Sequence, residues 1–266
     1  MVCGIVNITS DSFSDGGQHL KPDHAMSHAL KLIEDGAGMV DIGGESTRPG
    51  ATPVSVDEEI DRVLPVLEGL RSQTDVLISV DTTKSKVALE ALAHGADIIN
   101  DVSGGLFDEE MIEVVKKSGA GFICGHVEGA NLDQVHKNQD ACKGYSAVLK
   151  TLCSRIAFLK KTLGGKIIAD PCVGFGKSSE TNRQLIRSGE DITQQTGAPV
   201  MIGVSRKRVL GDLTGLSVEE RDHATVGASL AAVCFGAKVL RVHNVKFLTE
   251  ALMAFWPLHS KGSRLL

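Results

Sequence analysis

The sequence is poor in aromatic residues and has no excess of basic charge. Its 266 residues include eight phenylalanines but a single tryptophan and a single tyrosine, and 33 Asp and Glu residues outnumber 28 Lys and Arg residues. Proteins that bind nucleic acid typically carry a basic patch, and those that bind single strands also need aromatic side chains for base stacking. The composition therefore excludes a nucleic-acid partner and predicts an aliphatic core.

Long apolar runs and paired cysteines are also missing. No stretch reaches the roughly 18 apolar residues of a membrane-spanning helix, and the first residues lack the basic region and cleavage site of a secretory signal. The six cysteines are scattered without a C-x-x-C pair, which argues against a zinc site. We therefore expect a cytoplasmic protein without membrane association, in which the cysteines serve as small apolar residues.

Glycine, by contrast, is abundant, and many of the 29 glycines lie in short loops that follow apolar runs. We interpret eight such runs as strands. They are continuously apolar, as is typical of parallel strands that are covered on both faces. The runs are Val2–Ile8, Met39–Ile42, Val76–Val80, Asp97–Asn100, Gly121–Cys124, Lys166–Asp170, Val200–Gly203 and Lys238–Val242.

Segments with helical periodicity separate these runs, so that each predicted strand is followed by a helix. Eight such units average about 33 residues, the size of one βαβ repeat. The pattern predicts an α/β fold, a single (β/α)8 TIM barrel that forms one domain over residues 1–266. An open doubly wound sheet is the alternative, but the G-x-G-x-x-G loop that usually follows its first strand is missing.

Each predicted strand ends at polar residues, and in a barrel these ends meet at one mouth. Asp81, Asn100 and Asp170 supply hydrogen-bond acceptors and an amide, whereas Lys207, Arg241 and His243 supply cationic donors. A ligand that matches both halves has an N–H-rich heterocycle and an anionic tail. Each Asp taken singly is more often a helix cap or turn residue, and Arg241 could instead form a salt bridge that closes the barrel.

The motifs at these strand ends resemble those of the dihydropteroate synthases. They extend from residue 5 to residue 243 in the order that this family shows. The resembling segments are Ile5–Gly17, Asp41–Gly50, Ser79–Thr82, Ile99–Gly105, Asp170–Lys177, Ser205–Lys207 and Arg241–His243.

This resemblance implies an enzyme of folate biosynthesis, which joins 6-hydroxymethyl-7,8-dihydropterin pyrophosphate to p-aminobenzoate and releases pyrophosphate and 7,8-dihydropteroate. It also implies Mg2+ as the cofactor, sulfonamides as competing inhibitors and a homodimer packed through the late helices. Positive charge would develop on the pterin and negative charge on the leaving pyrophosphate, so we favour a dissociative substitution that needs no nucleophilic side chain.

The resemblance further assigns a role to residues at most of the strand ends. Asp81, Lys207, Arg241 and His243 are the catalytic candidates. Pterin binding is assigned to Asp81, Asn100, Asp170, Lys207 and Arg241, and pyrophosphate binding to Asn7, Thr47, Arg48, Arg241 and His243. Binding of p-aminobenzoate is assigned to Phe13, Thr47, Pro49, Phe175 and Lys207, and the metal to Asn7.

The segment after the fifth predicted strand departs from the family pattern. The family usually shows Met-His-Met-x-Gly there, whereas this chain has Gly125-His126-Val127-Glu128-Gly129. We expect Gly125 either to loosen the wall of the pterin site or to leave space that a neighbour fills. Two alternative functions are a pterin-dependent methyltransferase acting on a corrinoid and a paralogue that binds pterins without turnover.

Two smaller expectations and one further departure from the family pattern concern residues at the mouth. Gly43 and Gly44 are expected to supply positive φ to the second loop, and Lys177 is expected to be a solvated loop lysine. Asn244 stands where the family usually has Asp.

Overall fold

The computed structural model describes residues 1–8, 20–137 and 143–259 of the chain. Strands and helices alternate along these ranges. In chain order the elements are β1 (Val2–Asn7), α1 (Leu20–Glu34), β2 (Met39–Gly43), α2 (Val56–Arg71), β3 (Leu77–Asp81), α3 (Ser85–Ala93), β4 (Ile98–Asp101), α4 (Met111–Ser118), β5 (Gly121–Cys124), α5 (Leu132–Lys137), α6 (Tyr145–Leu163), β6 (Ile167–Ala169), α7 (Ser179–Ile186), α8 (Gly189–Thr196), β7 (Met201–Ile202), α9 (Arg208–Thr214), α10 (Asp222–Cys234), β8 (Val239–Val242) and α11 (Val245–His259).

The eight strands form one parallel sheet in the order β6-β5-β4-β3-β2-β1-β8-β7. A parallel bridge between Ala169 and Val200 joins the two ends of this sheet, and the Ala169 N–H donates to the Pro199 carbonyl at 2.9 Å. The predicted eight-stranded barrel is therefore confirmed, and the open doubly wound sheet is excluded. That one domain extends over residues 1–266 stays a prediction.

The two faces of the strands carry two different cores. Outward side chains such as Val40, Ile99 and Leu240 pack against the surrounding helices in the large core. Inward side chains form a smaller apolar layer inside the barrel, made of Cys3, Met39, Ile98, Ile123, Met201 and Val239 with Ile168 against it. This inner layer lies towards the beginning of the strands.

Above this apolar layer the barrel interior becomes polar. Side chains alternate along a strand, so the residue two positions after an inward residue also points inward. Two positions after Met39, Ile98 and Val239 come Asp41, Asn100 and Arg241. The alternation therefore places charged and amide groups inside the barrel at the ends of the strands.

The cysteines were expected to serve as small apolar residues, and three of them are buried in the structure. Cys3, Cys124 and Cys172 are buried free thiols, whereas Cys153 is half-buried and Cys234 is exposed. Cys142 lies outside the described residues. Burial raises the pKa of the Cys172 thiol to about 12, which leaves it protonated and unreactive at neutral pH.

None of the described helices is long and apolar enough to span a lipid bilayer.

Candidate active site

Arg241 lies at the centre of the polar layer and bridges two carboxylates. Its Nε donates to Asp41 Oδ2 at 2.6 Å, and its Nη2 donates to Asp81 Oδ2 at 2.9 Å. Burial opposes the charge of the guanidinium, but Asp41 and Asp81 hold the pKa of Arg241 well above its usual range. The predicted site residues Asp81 and Arg241, which lie 160 positions apart in the chain, are thus in direct contact.

Asp41 is part of this site although no role was assigned to it from the sequence. Its side chain is completely buried, and Asp41 Oδ2 also accepts a hydrogen bond from Asn100 Nδ2 at 3.0 Å. The other oxygen, Oδ1, has no hydrogen-bond partner among the described residues. The inward parity that Asp41 shares with Met39 was the sequence signal that could have identified it.

Asp81 and Asp170 both hold protons more tightly than ordinary aspartates. Burial, with the Asp41 charge as the next cause, raises the pKa of Asp81 to about 7 even though Arg241 acts in the opposite direction. Burial also raises the pKa of Asp170, against the opposing charge of Lys207. The polar layer therefore holds one carboxyl group, that of Asp81, that can change protonation near neutral pH.

Lys207, Asp170 and Phe175 come together at the ends of β6 and β7. Lys207 Nζ donates to the Val173 carbonyl at 2.5 Å and lies 5.0 Å from the centre of the Phe175 ring. Burial lowers the pKa of Lys207, although the Asp170 carboxylate acts against that shift. The predicted pterin residues Asp170 and Lys207 are thus neighbours of the predicted p-aminobenzoate residue Phe175.

His243 is held by Ser205, which the sequence had not assigned. Ser205 Oγ accepts the backbone N–H of His243 at 3.1 Å and lies 2.9 Å from its Nδ1. Burial, followed by the charges of Arg241, Arg206 and Arg48, lowers the pKa of His243 to about 3. The imidazole is therefore neutral at physiological pH, and the expectation that it acts as a cationic donor was wrong for this state.

The loop between β2 and α2 carries three of the predicted residues. Arg48 and Pro49 are exposed and Thr47 is half-buried, and the effect of Arg48 on the pKa of His243 places its charge near that imidazole. In the barrel, β1 and β8 lie between β2, which leads into this loop, and β7, which leads to Lys207. Phe175 follows β6, which is the other neighbour of β7. Phe13 lies outside the described residues.

The wall beside β5 is closed by a backbone segment. A Cβ atom added at Gly125 would lie 2.4 Å from the Cα atom and the carbonyl oxygen of Val102, so only glycine fits this backbone. The backbone of Val102, directly after β4, therefore fills the space that a larger side chain at position 125 would take. The wall of the predicted pterin site is not loosened here. Val102 in turn packs with Val127, Val135 and Cys172.

Lys177 and Gly44 differ from what the sequence indicated. Lys177 is buried, and its Nζ donates to the carbonyls of His126, Cys172 and Phe175 at 2.9, 3.1 and 3.1 Å. It fixes the loops after β5 and β6 and is not a solvated lysine. Gly44 and its neighbour Gly43 do not adopt positive φ.

Asn244 is matched to a neighbouring carboxylate. Its Nδ2 donates to Asp222 Oδ2 at 3.1 Å, and the same carboxylate binds the Arg206 guanidinium through two hydrogen bonds of 2.7 and 2.9 Å. An aspartate at position 244 would place two carboxylates in contact, so the amide suits this environment.

The described ranges contain no group of three or more His, Cys, Asp or Glu side chains that could hold a metal ion. Asn7, at the end of β1, offers a single half-buried carboxamide. Its Oδ1 lies 3.9 Å from the position that a Cβ atom would take at Gly43. Such a ligand suits Mg2+ when phosphate oxygens supply other coordination positions.

Comparison with known proteins points to one family. Residues 3–243 match the family described as pterin binding enzyme. A dihydropteroate synthase from Streptococcus pyogenes serotype M1 is 40% identical over 92% of this chain and 90% of its own length. The mitochondrial folate synthesis bifunctional protein of Arabidopsis thaliana is 41% identical over 94% of this chain. The chain spans only 48% of that bifunctional protein.

Solved structures give the same relationship. The dihydropteroate synthase of Xanthomonas albilineans with 4-aminobenzoic acid superimposes with a TM-score of 0.89 at 40% identity, covering 98% of this chain and 93% of that one. The dihydropteroate synthase of Yersinia pestis in complex with a sulfonamide drug gives a TM-score of 0.88 at 35% identity, covering 98% of this chain and 94% of that one.

Proposed function

Because the chain belongs to the dihydropteroate synthase family of pterin-binding enzymes, we propose that it joins 6-hydroxymethyl-7,8-dihydropterin pyrophosphate to p-aminobenzoate in folate biosynthesis. The observation that carries this proposal is the polar layer inside the barrel, where Arg241 donates to Asp81 and to Asp41, and Asp41 also accepts from Asn100. Such a layer matches a heterocycle that presents both hydrogen-bond donors and acceptors.

The proposed pterin site is formed by Asp81, Asn100, Asp170, Lys207 and Arg241. Asp81 and Asp170 would accept hydrogen bonds from the ring, and their ionised forms would stabilise positive charge that develops when the methylene C–O bond breaks. The charges of Asp170 and Arg241 interact, which supports one continuous site. The Lys207 ammonium lies near the Phe175 ring and interacts with the Asp170 charge, and it would contact both the pterin and p-aminobenzoate.

The proposed pyrophosphate site is formed by Asn7, Thr47, Arg48, Arg241 and His243. The neutral His243 can donate one ring N–H, and we assign that proton to Nε2, with the Ser205 hydroxyl donating to Nδ1. Arg48, exposed on its loop, is available to an incoming anion. We propose that Mg2+ is held by Asn7 and by pyrophosphate oxygens, where it would supply electrostatic stabilisation of the leaving group.

The proposed p-aminobenzoate site is formed by Thr47, Pro49, Phe175 and Lys207, with Phe13 as a further candidate. Phe175 offers a ring face, and Lys207 offers a cation for the carboxylate of p-aminobenzoate. Sulfonamides resemble p-aminobenzoate in shape, and the Yersinia pestis relative has been solved with one. We therefore propose that sulfonamides compete at this site.

A direct assay tests the proposed function. The purified protein is incubated with the dihydropterin pyrophosphate, p-aminobenzoate and Mg2+, and dihydropteroate is followed by chromatography. We expect product formation that p-aminobenzoate saturates and that EDTA reduces at least about tenfold. Pterin binding without product would contradict the proposal and favour the non-catalytic paralogue. Methyl transfer to a corrinoid in its place would favour the methyltransferase.

We further propose a homodimer and a cytoplasmic location. The last helix, α11, exposes several large apolar side chains, among them Phe247, Met253, Trp256 and Leu258. Exposed apolar surface of this kind is typical of protein interfaces. We expect light scattering to give about twice the 28.1 kDa mass of one chain, and a mass that stays at one chain at micromolar concentration would exclude the dimer. The free thiols agree with a reducing compartment.

A further inference from the structure

A buried charge cluster lies beneath the loop between β2 and α2, outside the residues assigned to substrates. It consists of Lys84, which follows β3, with Glu45 and Glu59. Lys84 Nζ donates to Glu45 Oε2 at 2.8 Å and to Glu59 Oε2 at 2.5 Å. Glu59 is completely buried, and the Lys84 and Glu45 side chains are 21% and 15% exposed. Two carboxylates thus share one ammonium group away from bulk water.

Glu45 uses its second oxygen to close the loop. The Val54 backbone N–H donates to Glu45 Oε1 at 2.9 Å, a contact that spans nine residues. The Glu45 carboxylate therefore connects the two ends of the loop that residues 46–53 form. Helix α2 begins directly after this closure, with Ser55 Oγ accepting the Glu58 N–H at 3.2 Å. The enclosed loop carries Thr47, Arg48 and Pro49.

The base of the loop is fixed from the other side as well. Arg62 Nη1 of α2 donates to the Gly44 carbonyl at 2.8 Å. A Cβ atom at Gly44 would lie 2.9 Å from the Val63 side chain and 3.0 Å from Glu59 Cγ, so glycine permits this close approach of the strand end to α2. Glu45 is thereby placed within reach of Lys84.

We propose that Lys84 is a positioning residue that sets the location of the β2–α2 loop over the mouth of the barrel. It holds Glu45 against Glu59, and Glu45 in turn closes the loop through Val54. Without the ammonium group, Glu45 would lose the donor that fixes its Oε2 and would move away from the Val54 amide, and repulsion from the neighbouring Glu59 carboxylate would add to this movement. The kinetic part of this inference rests on the proposed function, because Arg48 and Thr47 act on substrates only if that function holds.

The test compares Lys84→Met with a matched control at the opposite end of the strands. There Arg71 donates to Asp97 at 2.6 Å and to the Gly95 carbonyl at 3.0 Å, so Arg71→Met removes a similar part-buried ion pair far from the loop. In Lys84→Met we expect hydrogen exchange of the Val54 amide to be at least about tenfold faster. In Arg71→Met the exchange at Val54 should stay at the wild-type rate.

The same variants separate positioning from stability in the kinetics. In Lys84→Met, KM for p-aminobenzoate should rise at least about tenfold, whereas the affinity for a dihydropterin without pyrophosphate should not change. In the proposed pterin site that compound would contact Asp81, Asn100 and Asp170, none of which lies on the loop. Arg71→Met should leave both values unchanged.

A double variant keeps the inference testable if Lys84→Met does not fold. Lys84→Met combined with Glu59→Met leaves no uncompensated carboxylate in the buried position and introduces no new donor to Glu45, so the main cause of lost stability is removed. The tether on Glu45 is still lost, and we expect fast exchange at Val54 and a raised KM to persist. Wild-type exchange at Val54 in this folded variant would overturn the proposal. The exchange measurement needs no turnover, so its outcome is independent of the assay for dihydropteroate.

Discussion

Replacing Arg241 by methionine is expected to lower kcat/KM by about three orders of magnitude and the free energy of unfolding by about 3–5 kcal/mol. The guanidinium neutralises Asp41, which is completely buried, and also contacts Asp81. Its loss leaves an uncompensated charge in the barrel interior and removes a cation from the proposed pyrophosphate site. Steady-state kinetics with the dihydropterin pyrophosphate and urea denaturation measure the two effects.

A second substitution separates the two roles of Arg241. Asp41→Asn added to Arg241→Met removes the uncompensated charge, so most of the lost stability should return. If Arg241 acts on the leaving pyrophosphate, kcat/KM should stay low in this double variant. Recovery of turnover together with stability would instead show that Arg241 serves only as the salt bridge within the barrel, which was the alternative considered from the sequence.

The fold and the general position of the site could be predicted because both depend on local patterns. Each apolar run produced a strand whose bounds differ by at most one residue from the predicted ones. The polar residues that follow the strands then meet because a closed parallel barrel brings all carboxyl ends to one mouth. This reasoning placed Asp81, Asn100 and Arg241 correctly in one layer.

The partners of these residues could not be predicted, because they depend on distances between strands. Asp41 lies within the predicted strand Met39–Ile42 and had no assigned partner, and its contact with Arg241 joins residues 200 positions apart. Lys84 and Glu45 carry charges that are common on loops, and only the packing of α2 against the β2 end buries them. Lys177 was misread for the same reason, since its three carbonyl partners come from two loops.

The departure at Gly125 shows how a local pattern can mislead. Comparison with the family pattern indicated a missing side chain and hence a gap. The β4 segment fills that space, and a Cβ atom at position 125 would overlap the Val102 backbone. The wall of the proposed pterin site is therefore built from backbone and Val102 on this side, and a methionine at position 125 could enter only if that segment moved outwards.

Replacing Asp81 by asparagine is expected to lower kcat/KM at least about a hundredfold and to remove an acid limb from its pH profile. The pKa of Asp81 is raised to about 7, mainly by burial. The ionised form is the one that would stabilise positive charge on the pterin. In the wild-type enzyme kcat/KM should therefore fall about tenfold per pH unit below pH 7, and the asparagine variant should lack this dependence. Wild-type turnover in the variant would show that the charge is not needed.

The same carboxyl group makes stability depend on pH with a defined sign. Its folded-state pKa lies above the ordinary value of 3.8, so between pH 3.8 and about 7 the folded state binds more protons than the unfolded state. The contribution of Asp81 to the free energy of unfolding therefore falls as the pH rises through this window. Asp101, whose pKa burial raises to about 6, titrates in the same range. The informative quantity is therefore the difference in free energy of unfolding between Asp81→Asn and the wild type. From pH 5 to pH 8 the stability of the variant relative to the wild type should increase. Urea denaturation at both pH values measures this difference. A difference that stays constant would mean that Asp81 is already ionised at pH 5, and the acid limb would then belong to another group.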